Sequence, residues 1–237
     1  GELAVMECDG KRLFSGSGMT TAVNNAAELV MLFSMLTQDG SIPERTKKAG
    51  YEVTLEDCTN APERLQFLKN SPVLAENGEY VPVTNLGTII RSIGVCKGEL
   101  DLAVKGKHDL ATKARIFNAA LLKGFNPGYN NPLMTLLRQA PMSRMPLVHS
   151  RKVDKVAIDP YDLKQTDDTG VVVSFGVAEY LKRYRLTPDE EQEVIDTLTT
   201  WDITHHPYTP GLSKIVHTDY DYHLLALGQS YNCFHRD

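Results

Sequence analysis

The stretch "RLFSGSGMTTAVNNAAELVML", residues 12–32, sets two glycines and a row of hydroxyl and amide side chains directly before an apolar pattern of helical period. From Thr20 to about Leu36, Val23, Ala26, Ala27, Val30, Met31 and Met35 recur at steps of three and four. That spacing predicts a helix with one buried face. Ser15-Gly16, Thr20 and Asn24 read together as S-G-x-x-x-T-x-x-x-N. On a helix starting near Thr20, Thr20 and Asn24 share a face, and Ser15 to Gly18 form a loop above its N-terminus. Polar groups then converge on one spot. A glycine-rich turn with a Thr cap and a solvated Asn uses the same letters, so the pattern taken alone leaves both readings open.

Downstream, "QDGS" at 38–41 breaks the helix, and Ser41 with Glu44 predicts a capping box for a short helix that Gly50 ends in the left-handed cap position. "YEVTL" at 51–55 reads as a strand. "RLQFLKNSPVLAENGEYVPV" reads as a strand, a turn at Asn77-Gly78 and a second strand. Residues 1–100 are therefore expected to be mixed α/β. After residue 100 the texture turns helical, with helices expected at Leu110–Leu122, Leu133–Gln139, Val177–Arg185 and Pro188–Trp201. The last start is the best specified: Thr187 is the N-cap, Pro188 the first helical residue, and Glu190 closes a capping box. "FNPGYNNP", 125–132, is a turn between helices, and a boundary near residue 100 separates 1–100 from 101–237.

The whole-chain properties fit a globular protein. Hydrophobic residues are 42% and charged residues 23% of the 237, which gives enough apolar material for a real core. A net charge of −5 excludes a uniformly basic nucleic-acid coat but leaves room for a local basic groove. Cys8, Cys58, Cys96 and Cys233 form no C-x-x-C pair, so neither a zinc knuckle nor a disulfide framework is indicated, and a reducing compartment is the default. No apolar run reaches the ~18 residues of a membrane span. The opening "GELAVMECDG" has no signal-peptide pattern, and its strand-like Leu3 and Val5 read as entry in mid-domain.

The S-G-x-x-x-T-x-x-x-N block resembles motif B of viral RNA-dependent RNA polymerases of the positive-strand type. The resemblance implies that the Ser15-Gly16 loop flexes with nucleotide binding and translocation, and that Thr20 and Asn24 position the ribonucleotide and template. An amide can answer the 2′-hydroxyl as both donor and acceptor. A second block, "KKAGYEVTLEDCTNAPERLQFLKNSPV", 47–73, resembles motifs D and E, with Phe67-Leu68-Lys69 opening the hairpin that grips the primer. Lys69, a flexible point charge, and Arg12 are the RNA-contacting residues that the resemblance implies. It implies a right-hand polymerase fold in part, with the C-terminal portion of an α+β palm over 1–100 and a helical thumb over 101–237. Lys105, Lys107, Lys113, Arg115, Lys123 and Arg138 are candidates to line a duplex there, although a solvated helix surface explains each one singly.

The family's motif A and the Gly-Asp-Asp turn of motif C, whose aspartates hold two Mg²⁺ or Mn²⁺ ions, are not found in these 237 residues. Asp39 in "QDGS" lies in the right interval, but the interval is too short. Three explanations stay open: a palm–thumb fragment, segments missing from the sequence, or a permuted order with A and C before B. Cys58 follows Asp57 where the motif D lysine is expected, which puts pyrophosphate protonation by this chain in doubt. Metal ligands are therefore expected outside the chain, and these residues alone are expected to be inactive. The implied partners are template and product RNA, nucleoside triphosphates and the remaining polymerase segments or other replicase proteins, with possible membrane association through a region outside this sequence. The implied setting is the host cytoplasm, a replication complex or the virion interior.

Other candidates have plainer readings. Asp167-Asp168 reads as a turn before "VVVSF", His205-His206 as a loop with no third metal ligand at recognisable spacing, and Glu190, Glu191 and Glu193 as helix-start charges. The Tyr- and His-rich tail from His217 suits packing better than base stacking. A non-catalytic RNA-binding or replicase-assembly module is the alternative from another functional class.

Overall fold

The computed structural model describes residues 20–36, 39–48, 50, 59–96, 98–125, 129–151, 153, 156 and 172–226. The chain divides into two compact units, 1–58 and 59–237. The expected strand at 51–55, Asp57-Cys58 and Asp167-Asp168 lie outside the described residues.

In the first unit, α1 spans Thr20–Leu36 and α2 spans Ile42–Lys48. The period-3.6 pattern did produce a helix, but its apolar face is not buried: Val23, Val30 and Phe33 are 43%, 69% and 68% exposed. Periodicity sets which residues share a face, whereas burial needs a surface to cover it. At α2 the Ser41 N–H donates to Glu44 Oε2 at 2.9 Å, which is the backbone half of the expected box. The Ser41 hydroxyl donates to that same oxygen at 2.8 Å, and the two bonds hold the Glu44 carboxyl below its usual range. Gly50 takes φ +86° with its N–H on the Lys47 carbonyl, the left-handed stop that the sequence predicts.

The second unit is helical with two small sheets, an α+β arrangement. A 3₁₀ turn, Pro62–Arg64, precedes an antiparallel hairpin of β1, Asn70–Leu74, and β2, Tyr80–Thr84, with Asn70 opposite Thr84 and Leu74 opposite Tyr80. Its turn runs through Asn77-Gly78 as predicted, with Gly78 at φ +84°. Then come α3, Leu86–Ser92; α4, Leu100–Ala103; and α5, Leu110–Gly124. A two-residue strand β3, Tyr129–Asn130, pairs in parallel with β4, Val173–Ser174, from the "VVVSF" segment. Between them lie α6, Pro132–Gln139, and α7, Leu147–Ser150. The chain continues through α8, Val177–Leu181, a 3₁₀ turn Lys182–Tyr184, α9, Pro188–Thr200, and α10, Pro210–Ala226.

At α9 the box forms as its letters predict, with the Thr187 hydroxyl accepting from the Glu190 N–H and the Glu190 carboxylate accepting from the Thr187 N–H. Helix α8 stops early and passes into the 3₁₀ turn, which ends where Arg185 takes the left-handed φ of +50°.

The main core draws on both sides of residue 100. Val73 and Val83 of the hairpin and Leu86, Ile89 and Ile90 of α3 join Leu133 and Leu137 of α6, Leu181, Leu198, Leu212 and Ile215. The division expected near residue 100 is thus a change of element type within one shared core, and the compact units part at 58/59. Each fully enclosed Leu or Ile contributes about 1.5–3 kcal/mol relative to exposure, so α3, packed against α10, is central to this unit. A smaller cluster joins α4 and α5 through Ala103, Val104, Ile116, Phe117 and Leu121.

Candidate nucleic-acid interface

Thr20 is the first residue of α1 and Asn24 lies one turn on, exposed. The helical repeat therefore places both on one face, as the sequence predicts. Arg12, Ser15 and Gly16 lie outside the described residues.

Lys69 belongs to the second unit. Phe67 and Asn70 exchange both backbone hydrogen bonds, each at 2.9 Å, so Leu68 and Lys69 form a two-residue hairpin loop. Both take positive φ, +48° and +62°. That is the geometry of a type I′ turn, which ordinarily selects Asn or Gly because a Cβ in left-handed backbone costs about 1–2 kcal/mol per residue. Non-glycine residues persist there only where the surroundings hold them.

The Lys69 carbonyl accepts from the Asn85 N–H at 2.8 Å. The Lys69 ammonium donates to the Asp219 carbonyl at 2.5 Å and sits 4.4 Å from the centre of the Tyr220 ring. Arg91 lies over the same ring, with Cζ at 4.1 Å, and the Tyr220 hydroxyl donates to Thr88 Oγ1. A lysine predicted to meet an RNA phosphate is here placed by an internal carbonyl and an aromatic face.

Beneath this turn is a buried polar node. The Asp219 side chain, fully enclosed, accepts from Arg183 Nε at 3.0 Å, the Tyr184 hydroxyl at 3.0 Å and the Gly87 N–H at 2.9 Å. Arg183 also donates to the Arg64 carbonyl at 2.6 Å and to Gln66 Oε1 at 3.2 Å, which ties the loop leading into Phe67 to α10. Tyr184 accepts in turn from the Leu86 N–H at 2.8 Å, so the two open amides at the start of α3 are both satisfied by side chains.

Burial pushes the Asp219 carboxyl up, opposed by the Arg183 charge and the hydrogen bonds from Arg183, Tyr184 and Gly87. Burial likewise pushes the Tyr184 and Tyr180 phenols up, so both stay neutral donors. At Gly87 the carboxylate comes so close that an added Cβ would lie 2.6 Å from Asp219 Oδ2, so only glycine fits.

This node is absent from the sequence-based candidates. One signal for it exists: Leu212, Ile215, Val216 and Asp219 fall at i, i+3, i+4 and i+7, which puts a carboxylate on the buried stripe of α10.

Five of the six proposed thumb cations separate into two groups, and the sixth, Arg115, is half-buried. Lys113 is buried against Asp101 at 2.6 Å, joining α4 to α5, and Arg138 donates to the Leu122 carbonyl at 3.0 Å with burial lowering its pKa. Those two are tied to the fold, Lys113 buried and Arg138 at the exposed surface. Lys105, Lys107 and Lys123 are exposed. Among the described residues no three His, Cys, Asp or Glu side chains group to hold a metal ion. No helix among the described residues is long and apolar enough to cross a membrane. Compared with protein-family models, with curated proteins and with solved structures, the chain matches none.

Proposed function

We propose that the chain is part of a viral RNA-dependent RNA polymerase, the C-terminal portion of its palm followed by a thumb. The observation that carries the proposal is the S-G-x-x-x-T-x-x-x-N block, with Thr20 and Asn24 one turn apart on α1 and the Asn24 side chain exposed. The tight Phe67–Asn70 hairpin, ahead of a β-hairpin and a helical region, supports it. In this reading Ser15, Gly16, Thr20 and Asn24 serve the incoming nucleotide and template, and Lys69 and Arg12 serve the RNA backbone. The exposed apolar face of α1 suits the remaining palm segments. The metal-binding aspartates belong to those segments, and no step of the transfer is assigned to residues described here.

The test is Asn24→Ala in the complete polymerase, read as incorporation of ribonucleotide against deoxyribonucleotide. Losing one hydrogen bond to the 2′-hydroxyl removes about 1 kcal/mol, so discrimination falls roughly fivefold or more. Unchanged discrimination with RNA binding intact would instead favour the non-catalytic RNA-binding or assembly module.

A further inference from the structure

The most exposed large apolar side chains described in the second unit gather in two short segments. Leu147 and Val148 of α7 are 90% and 80% exposed, and Leu102 and Leu110, which flank the loop from α4 to α5, are 69% and 71% exposed. The fold brings the two segments together. Ala103 and Val104 belong to the small cluster around Phe117 and Leu121, and Met145 and Val153, on either side of α7, pack against that same cluster. The His108 and His149 rings then meet edge to face at 5.6 Å. His149 is the half-buried residue of α7, so it seats the helix while Leu147 and Val148 stand in solvent.

Cations accompany the apolar side chains. Lys105 and Lys107 in the loop, and Arg144 and Arg151 on either side of α7, are all exposed. Leu147 and Arg151 are four residues apart, which places them on one face of the turn. The two carboxylates within 101–110 and 144–151 are both engaged locally. Asp109 accepts from the Thr112 N–H at 2.7 Å and hydroxyl at 3.0 Å, and Asp101 accepts from the Lys113 ammonium at 2.6 Å. In a chain of net charge −5, this corner is locally positive.

Exposed alkyl side chains set among Lys and Arg match an anionic bilayer surface, where the alkyl groups enter the headgroup boundary and the cations meet the lipid charge. RNA would suit only the cations, since its bases stack on aromatic faces and none of these four side chains is aromatic.

We propose that this corner docks the second unit on the surface of an anionic lipid bilayer, with Leu147 and Val148 as the inserting tip. The site lies on the membrane without crossing it, and it is independent of the reading of α1.

The experiment is flotation of the 237-residue chain with vesicles of phosphatidylcholine alone and of phosphatidylcholine and phosphatidylserine in equal parts. Partitioning onto the mixed vesicles is expected to be about tenfold stronger or more, and to weaken as salt screens the cations. Leu147→Asn with Val148→Asn should weaken it about tenfold or more through the lost alkyl burial. Both side chains are already in solvent, so the melting temperature should not change. Arg144→Gln and Lys107→Gln should each weaken partitioning roughly fivefold. No binding to the mixed vesicles, equal binding to both kinds, or wild-type binding by the Leu147/Val148 double variant would each overturn the proposal. Oligoadenylate binding without vesicle binding would assign the cations to RNA, and dimerisation through Leu147 and Val148 without vesicle binding would assign the tip to a second copy.

Discussion

Replacing Gly87 by alanine tests the buried node because two well-understood effects act there with opposite signs. Inside a helix, alanine is preferred over glycine by up to about 1 kcal/mol, and at a compatible site the change stabilises. Gly87 lies in the first turn of α3, but its added Cβ would meet Asp219 Oδ2 at 2.6 Å and Asp219 Cγ at 3.2 Å. The carboxylate has no easy retreat, being fixed by Arg183 and Tyr184 as well as by the Gly87 N–H itself. Overpacking of this kind costs about 1–3 kcal/mol, and the upper end applies where the obstructing group is anchored. The clash outweighs the propensity gain, leaving a net loss of about 2 kcal/mol.

Urea denaturation followed by Trp201 fluorescence reads the second unit directly, since Trp201 is 3% exposed in its core. With a slope of about 2 kcal/mol per molar urea, the midpoint should fall by roughly 1 M with the slope unchanged. In an Asp219→Ala background the added methyl meets no carboxylate, so the same substitution should be neutral or stabilising, a coupling of about 2 kcal/mol. A stabilised Gly87→Ala single variant would refute the account of the node.

Arg183→Met should carry a pH-dependent penalty. Burial already raises the Asp219 carboxyl, and removing Arg183 takes away the charge that opposes the rise. A carboxyl with a raised folded pKa keeps its full contribution below the ordinary aspartate range of about 4 and loses it as pH climbs through the folded value. The stability deficit against wild type should therefore be smallest near pH 4 and widen towards pH 8, where breaking a buried pair costs about 3–5 kcal/mol. A deficit that is flat or shrinks with pH in urea melts would contradict this. Leu68→Asn should stabilise by roughly 0.5–1 kcal/mol, since Asn tolerates the left-handed backbone at φ +48° and Leu68, 65% exposed, gives up little burial; a lower urea midpoint would count against strain in this turn.

What the sequence determined was local. The Thr187–Glu190 box, the Asn77-Gly78 turn, the Gly50 stop and the periodicity of α1, α5 and α6 each act within a few residues, where backbone geometry and hydrogen bonding give direct signals. The sequence also put Thr20 and Asn24 on one helix, and it singled out Phe67-Leu68-Lys69. Helices α3 and α10 did not stand out: α3 is only seven residues long, and α10 interleaves Lys, His and Asp with its apolar stripe. Tertiary structure alone decided what those helices bring together. Lys69 meets Asp219 across 150 positions and Gly87 meets it across 132, and neither pairing has a short-range signature. The tertiary fold thereby gave Lys69, read as a phosphate contact, a carbonyl and a tyrosine ring as neighbours. Val23, Val30 and Phe33 of α1 are exposed, since periodicity sets which residues share a face and does not encode the surface that would cover it.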